Sequence, residues 1–167
     1  MTEENQKNSG FSRRTVVKGA AWSVPVIAAA VATPLAAAST VDVGAFALDG
    51  DCGTLGLIGP GFELTAGPTE AIPAGTTITI TGSGIANIGV FSVTGGTATV
   101  NVLSQTSRSI VLTAPLAAGA TLAVRTTLSI TVAFTLNAAT TLPAGYTATG
   151  GKPAGSVSST LILCSAT

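Results

Sequence analysis

The chain predicts an all-β fold: one antiparallel β-sandwich of about eight strands, following an N-terminal signal helix. Three observations carry that prediction. Beyond residue 38 the sequence is rich in Thr, Val, Ile and Gly, which favour strands and turns over helices. Apolar residues recur with period two, the spacing of side chains on one face of a strand. Gly- and Pro-containing turns interrupt the alternation at short intervals, as a sandwich of short strands requires.

The candidate strands, in order, are residues 41–48, 62–66, 76–81, 88–93, 97–103, 109–113, 121–136 and 156–164. Gly59-Pro60-Gly61, Gly67-Pro68, Gly82-Ser83-Gly84, Gly95-Gly96 and Gly150-Gly151 separate them. A Pro-Ala-Gly triplet recurs at 73–75, 143–145 and 153–155. Pro fixes φ and Gly permits φ > 0, so the triplet makes compact bends ahead of Thr- or Ser-rich strands. The clearest alternation runs from Thr121 to Leu136, with Leu122, Val124, Leu128, Ile130, Val132, Phe134 and Leu136 in one phase. That is far longer than the usual strand of about 5–6 residues. Either the strand bends between two sheets, or a tight turn near 125–128 hides in the pattern.

Charge is sparse. The 167 residues contain 7 Lys and Arg, 7 Asp and Glu, and no His. Without a basic patch, nucleic-acid binding is not expected. The lack of His removes the commonest general base and the commonest zinc ligand. At 46% hydrophobic and 8% charged, the chain is too apolar to be disordered.

The first 38 residues differ from the rest. A polar stretch leads to Ser12-Arg13-Arg14-Thr15-Val16-Val17-Lys18, then an Ala-rich run that ends in Ala36-Ala37-Ala38. A charged start, an apolar middle and an A-x-A end make a removable signal peptide, cut between Ala38 and Ser39. The paired arginines make it the twin-arginine variety. The segment resembles the twin-arginine export signals of actinobacterial secreted proteins. Ser12, Arg13, Arg14 and Lys18 match that pattern, while Val16 and Val17 stand where Phe and Leu are usual. The resemblance implies a twin-arginine translocase and a signal peptidase as partners during export, and cargo that folds before it crosses. The run is also long enough for a membrane anchor, but it is mostly Ala, broken by Pro25 and Pro34. Contact with a membrane is therefore expected only through this segment.

Residues 39–167 keep three cations (Arg108, Arg125, Lys152) and five anions (Asp42, Asp49, Asp51, Glu63, Glu70). The only cysteines are Cys52 and Cys164. An even pair in an exported chain predicts a disulfide. It would close a loop of about 110 residues, worth about 4–5 kcal/mol on the chain-entropy argument. Asp49-Gly50-Asp51 could offer oxygens to calcium, but no downstream Glu completes a calcium loop, so a solvated turn is the expected reading and no metal or cofactor is called. No motif pairs two carboxylates for glycoside hydrolysis, and no Ser has a His or a marked Lys as base. The glycine pairs lie between strands with no following helix, so they are turns rather than phosphate loops. An enzyme is not expected. Tyr146 is the single plausible exposed aromatic for stacking on a sugar; Phe46, Phe62, Phe91 and Phe134 lie in alternating segments and read as core. Leu142-Pro143-Ala144-Gly145 is like a sortase signal, but no apolar tail and basic end follow it.

The segment Ile72-Pro73-Ala74-Gly75-Thr76-Thr77-Ile78-Thr79-Ile80 is similar to the turn-strand segments of bacterial immunoglobulin-like surface domains. It covers a few strands, and the Cys…Trp…Cys core of antibody domains is absent, since Trp22 is the only Trp. The resemblance implies an immunoglobulin-like sandwich. A near-neutral β-protein lacks charge repulsion between copies, and edge strands normally use charge for protection. Two expectations follow for residues 39–167, secreted or at the cell surface. One is a structural or interaction protein that associates with itself. The other is a monomeric binding module for a cell-wall glycan or a protein.

Overall fold

The computed structural model describes residues 39–54, 58–161 and 163–167. The signal helix and its residues Arg13, Arg14, Lys18, Ala36 and Ala38 lie outside the described residues; Ser39 is the first described one. Among the described residues there is no helix, and so none long and apolar enough to cross a membrane.

Among the described residues twelve strands form, against about eight expected: β1 Val41–Asp42, β2 Ala47–Asp51, β3 Gly61–Thr65, β4 Thr77–Ser83, β5 Phe91–Thr94, β6 Ala98–Ser104, β7 Ser107–Leu112, β8 Thr121–Thr126, β9 Phe134–Thr141, β10 Tyr146–Thr147, β11 Ala154–Thr160 and β12 Leu163–Ala166. They make a six-stranded sheet in the order β12-β11-β9-β4-β7-β6, a four-stranded sheet in the order β2-β3-β8-β5, and a short β1–β10 pair. The ladders of both larger sheets are antiparallel. Their inner faces share one core, so the sandwich expected from the alternation is what forms.

The higher strand count comes from three candidates that divide and from β10, which lies in none of the expected segments. Residues 41–48 split into β1 and β2 because Gly44 turns the chain at φ +72, a conformation open to glycine. The Asp42 carboxylate caps this bend, accepting the Gly44 N–H at 2.9 Å. Residues 156–164 fold back on themselves, with Leu161 at φ 67 in the turn between β11 and β12. The 121–136 run divides between the sheets: β8 belongs to the smaller and β9 to the larger. Residues 127–133 form a loop that crosses from one sheet to the other, so the run is neither one strand bent between the sheets nor two strands joined by a tight turn at 125–128. The phase survives the crossing. Leu122, Val124, Phe134 and Leu136 are buried on either side of it, while Val132 in the loop is 45% exposed.

Alternation does the packing. In β4, Ile78 and Ile80 are fully buried while Thr77 and Thr79 are half-buried and Thr81 is exposed on the other face. Phe62, Leu64, Leu122 and Val124 of the smaller sheet face Ile78, Ile80, Ile110, Leu136 and Val157 of the larger across the core. Phe46, Phe62, Phe91 and Phe134 are all buried, as their positions in alternating segments predict.

One rim of the sandwich is sealed. The β2 edge would be open in an isolated four-stranded sheet. Instead the Leu48 N–H donates to the Lys152 carbonyl (2.8 Å), the Lys152 N–H to the Phe46 carbonyl (2.7 Å) and the Gly50 N–H to the Thr167 carbonyl (2.8 Å). The C-terminal segment thereby ties the two sheets together. The approach is so close that a Cβ at residue 50 would stand 2.1 Å from the Ser156 carbonyl oxygen, so only glycine fits at this point in β2.

Candidate functional site

The predicted disulfide is present. Cys52 and Cys164 are bonded with their Cα atoms 5.8 Å apart and 112 positions apart in sequence. Cys52 follows β2 and Cys164 lies in β12, so the bridge crosses the sealed rim beside the backbone bonds that close it. Both cysteines are half-buried against the core.

Asp49 and Asp51, weighed as calcium ligands, each bond a donor of the chain, and so does Asp42. The Asp42 carboxylate accepts the N–H groups of Gly44 and Thr149, both at 2.9 Å; hydrogen bonding from the Thr149 side chain, and then from these N–H groups, holds its pKa below the ordinary value. Asp49 accepts from Lys152 Nζ at 2.5 Å. Asp51 accepts from Arg125 Nη2 at 2.8 Å, and Glu63 accepts from the same nitrogen at 2.5 Å. Asp51 also takes the Gly53 N–H at 2.6 Å. Among the described residues no three His, Cys, Asp or Glu side chains gather where they could hold a metal ion.

The hydrogen bond from Arg125 holds the Asp51 carboxyl down at about 2, from an ordinary 3.8. Its folded pKa lies below its unfolded one, so this stabilisation is fully present above about pH 4 and is lost as pH falls through about 2. Asp51 is about a third exposed, so solvent screening reduces the contribution to about 1 kcal/mol. Guanidinium unfolding should therefore show Asp51→Asn less stable than the parent by about that much at pH 6. The gap should shrink markedly by pH 2. A gap unchanged between the two pH values would show that the ion pair is not its source.

Tyr146 opens β10, which pairs in parallel with β1 through Val41. It is 37% exposed and lines an open groove of about 330 Å³ together with Phe46, Leu142, Pro153 and Thr140. The Thr140 hydroxyl is buried, with no hydrogen-bond partner among the described residues. The aromatic singled out in the sequence thus has apolar neighbours, and neither an acid nor a cysteine lines its groove.

Two features lie beyond what the sequence disclosed. The first is Arg108. It points inward from β7 at 6% exposure. Its guanidinium donates to the carbonyls of Ser104, Ser107 (2.9 Å) and Gly89 (2.9 Å) and to Asn87 Oδ1 (3.3 Å). A buried cation must be hydrogen-bonded, and here backbone carbonyls do it, pinning the β6–β7 hairpin onto the loop at 87–89.

The second is the segregation of charge. Asp49, Asp51, Glu63 and Arg125 all lie on strands of the smaller sheet. Across the six strands of the larger sheet the only charged residue is the buried Arg108. Its outward positions are small and neutral: Thr79, Thr81, Ser109, Asn137, Ala139 and Ser156 are typical, all exposed or half-buried. Period-two alternation could place these residues outside, but only the pairing of strands shows that they form one continuous uncharged face.

The fold and these surfaces define a disulfide-stapled antiparallel β-sandwich with one charged and one uncharged face. The chain matches no protein-family model and no curated protein.

Proposed function

We propose that this chain is an exported, non-catalytic structural or interaction protein of the cell surface, an immunoglobulin-like sandwich that associates with copies of itself. The observation that carries this reading is the uncharged larger sheet. A neutral face and neutral strand edges present no repulsion to a second copy, while the paired charges of the smaller sheet keep one side hydrated. Export rests on the Arg13-Arg14 segment and the Ala36-x-Ala38 end ahead of Ser39, with a twin-arginine translocase and a signal peptidase as transient partners. The disulfide is consistent with an oxidising compartment outside the cytosol.

A second reading has its own observation in the Tyr146 groove, with its unpartnered Thr140 hydroxyl. On that reading the chain is a monomeric secreted module, and the groove takes a cell-wall glycan or a segment of another protein.

Light scattering on protein recovered from the medium and wall fraction of the producing cells separates the two. Self-association gives a mass above that of the processed chain, rising with concentration. A monomer that binds wall material saturably, and loses binding on Tyr146→Ala, establishes the second reading and removes the first.

A further inference from the structure

The two rims of the sandwich differ. At one, the C-terminal segment and the disulfide cover the β2 edge. At the other, the sheets end in β5 and β6, which are consecutive in the chain. The phase of β6 follows from the bond between the Thr113 N–H and the Thr97 carbonyl (3.0 Å). In an antiparallel ladder, hydrogen-bonded and non-bonded positions alternate. Thr97, Thr99 and Asn101 therefore turn their backbone groups toward β7, and Ala98, Val100 and Val102 turn theirs outward. Among the described residues no backbone bond from the rest of the fold meets those outward groups.

This rim lacks the usual protections of an edge. Charge and proline are the common ones, and residues 90–107 contain neither. Val90 and Val102 are each 72% exposed and Leu103 is 60% exposed. A bulge between Val102 and Ser104 interrupts the ladder, leaving Ala98–Val102 as its regular part. Arg108, the nearest cation, is turned inward and held by carbonyls.

We propose that β6 pairs with β6 of a second copy about a two-fold axis through Val100, so that the two larger sheets become one continuous antiparallel sheet. The proposal rests on the self-association reading above and names its surface. A two-fold axis normal to the sheet sets identical edges antiparallel. With Val100 on the axis, Val100 faces Val100 of the second copy, Ala98 faces Val102, and Thr99 faces Asn101. Every outward N–H and C=O of the regular stretch then finds a partner. The inner row stays apolar across the junction and covers Val102, and the outer row stays polar. A one-residue slip would exchange these faces. The contact is isologous and closes on itself, so pairing through β6 stops at the dimer.

Cross-linking of the exported protein tests both pairing and register. Thr99 and Asn101 are exposed, so cysteine at either leaves the core alone. In the proposed register they face each other as a non-hydrogen-bonded pair, with Cα atoms about 4.5 Å apart, inside the disulfide range. A mixture of T99C and N101C proteins should form disulfide-linked dimers under mild oxidation, and neither protein alone should. In light scattering, Val102→Lys should weaken the parent dimer by about tenfold or more, because it places a charge on the shared edge. A dimer that V102K leaves intact and the mixture does not cross-link overturns the β6 pairing while leaving self-association standing. A monomer at every concentration overturns both.

Discussion

Replacing the bridge with a Cys52→Ala/Cys164→Ala pair should lower the unfolding free energy by about 4–5 kcal/mol on the chain-entropy argument. The reason lies mostly in the unfolded chain. The bond joins residues 112 positions apart, so it ties nearly the whole domain into one loop and removes much of the freedom of the denatured state. The folded state loses little, because both sulfurs are only half-buried. The melting temperature should fall by about 10–20 °C for a domain of this size. Guanidinium unfolding of the double variant, beside the parent with and without reductant, measures this. Variant and reduced parent should coincide. A loss under about 1 kcal/mol would show that the backbone bonds of Leu48, Gly50 and Lys152 hold the rim unaided.

Phe62→Ala should cost about 3–5 kcal/mol, the range for deleting a fully buried aromatic ring. Phe62 is 0% exposed in β3 and sits between Gly50 of β2 and Val124 of β8 in the ladder. Its neighbour in β2 has no side chain, and cannot have one, because the Ser156 carbonyl lies where a Cβ would go. No side chain of β2 at that position can therefore move into the ring's place. The same truncation at Val90, 72% exposed, should stay within about 0.5 kcal/mol. Equal losses at the two positions would contradict the assignment of the core.

Much of this fold is legible along the chain because alternation is a local property. Ile78 and Ile80 face inward, and Thr77, Thr79 and Thr81 outward, as period two requires, and the same holds for Leu122, Val124, Phe134 and Leu136. The disulfide is legible from two cysteines and an export segment. The break at 127–133 is not, because the loop keeps the strands' phase and periodicity cannot see it. The pair β1 and β10 is too short to leave a pattern, and the partner of each ladder is set by contacts distant in sequence. Tyr146 is identifiable as the exposed aromatic. Its groove depends on Phe46, Thr140 and Pro153, which come from three separate segments.

Read alone, the order of residues sets the all-β class, the phase of the apolar rows within the strands, the covalent link between the two ends of the domain, and the expectation of export. Composition, period and cysteine count are properties of neighbouring residues and totals, so they need no fold. The pairing of strands decides that the few charges collect on the smaller sheet, that Arg108 turns inward, and that the β2 edge is covered while the outward backbone groups of β6 have no partner among the described residues. Those outcomes depend on strand order. Backbone hydrogen bonds are the same for every residue type, so the order in which strands pair is written in no local pattern; it is set by the packing of the whole core.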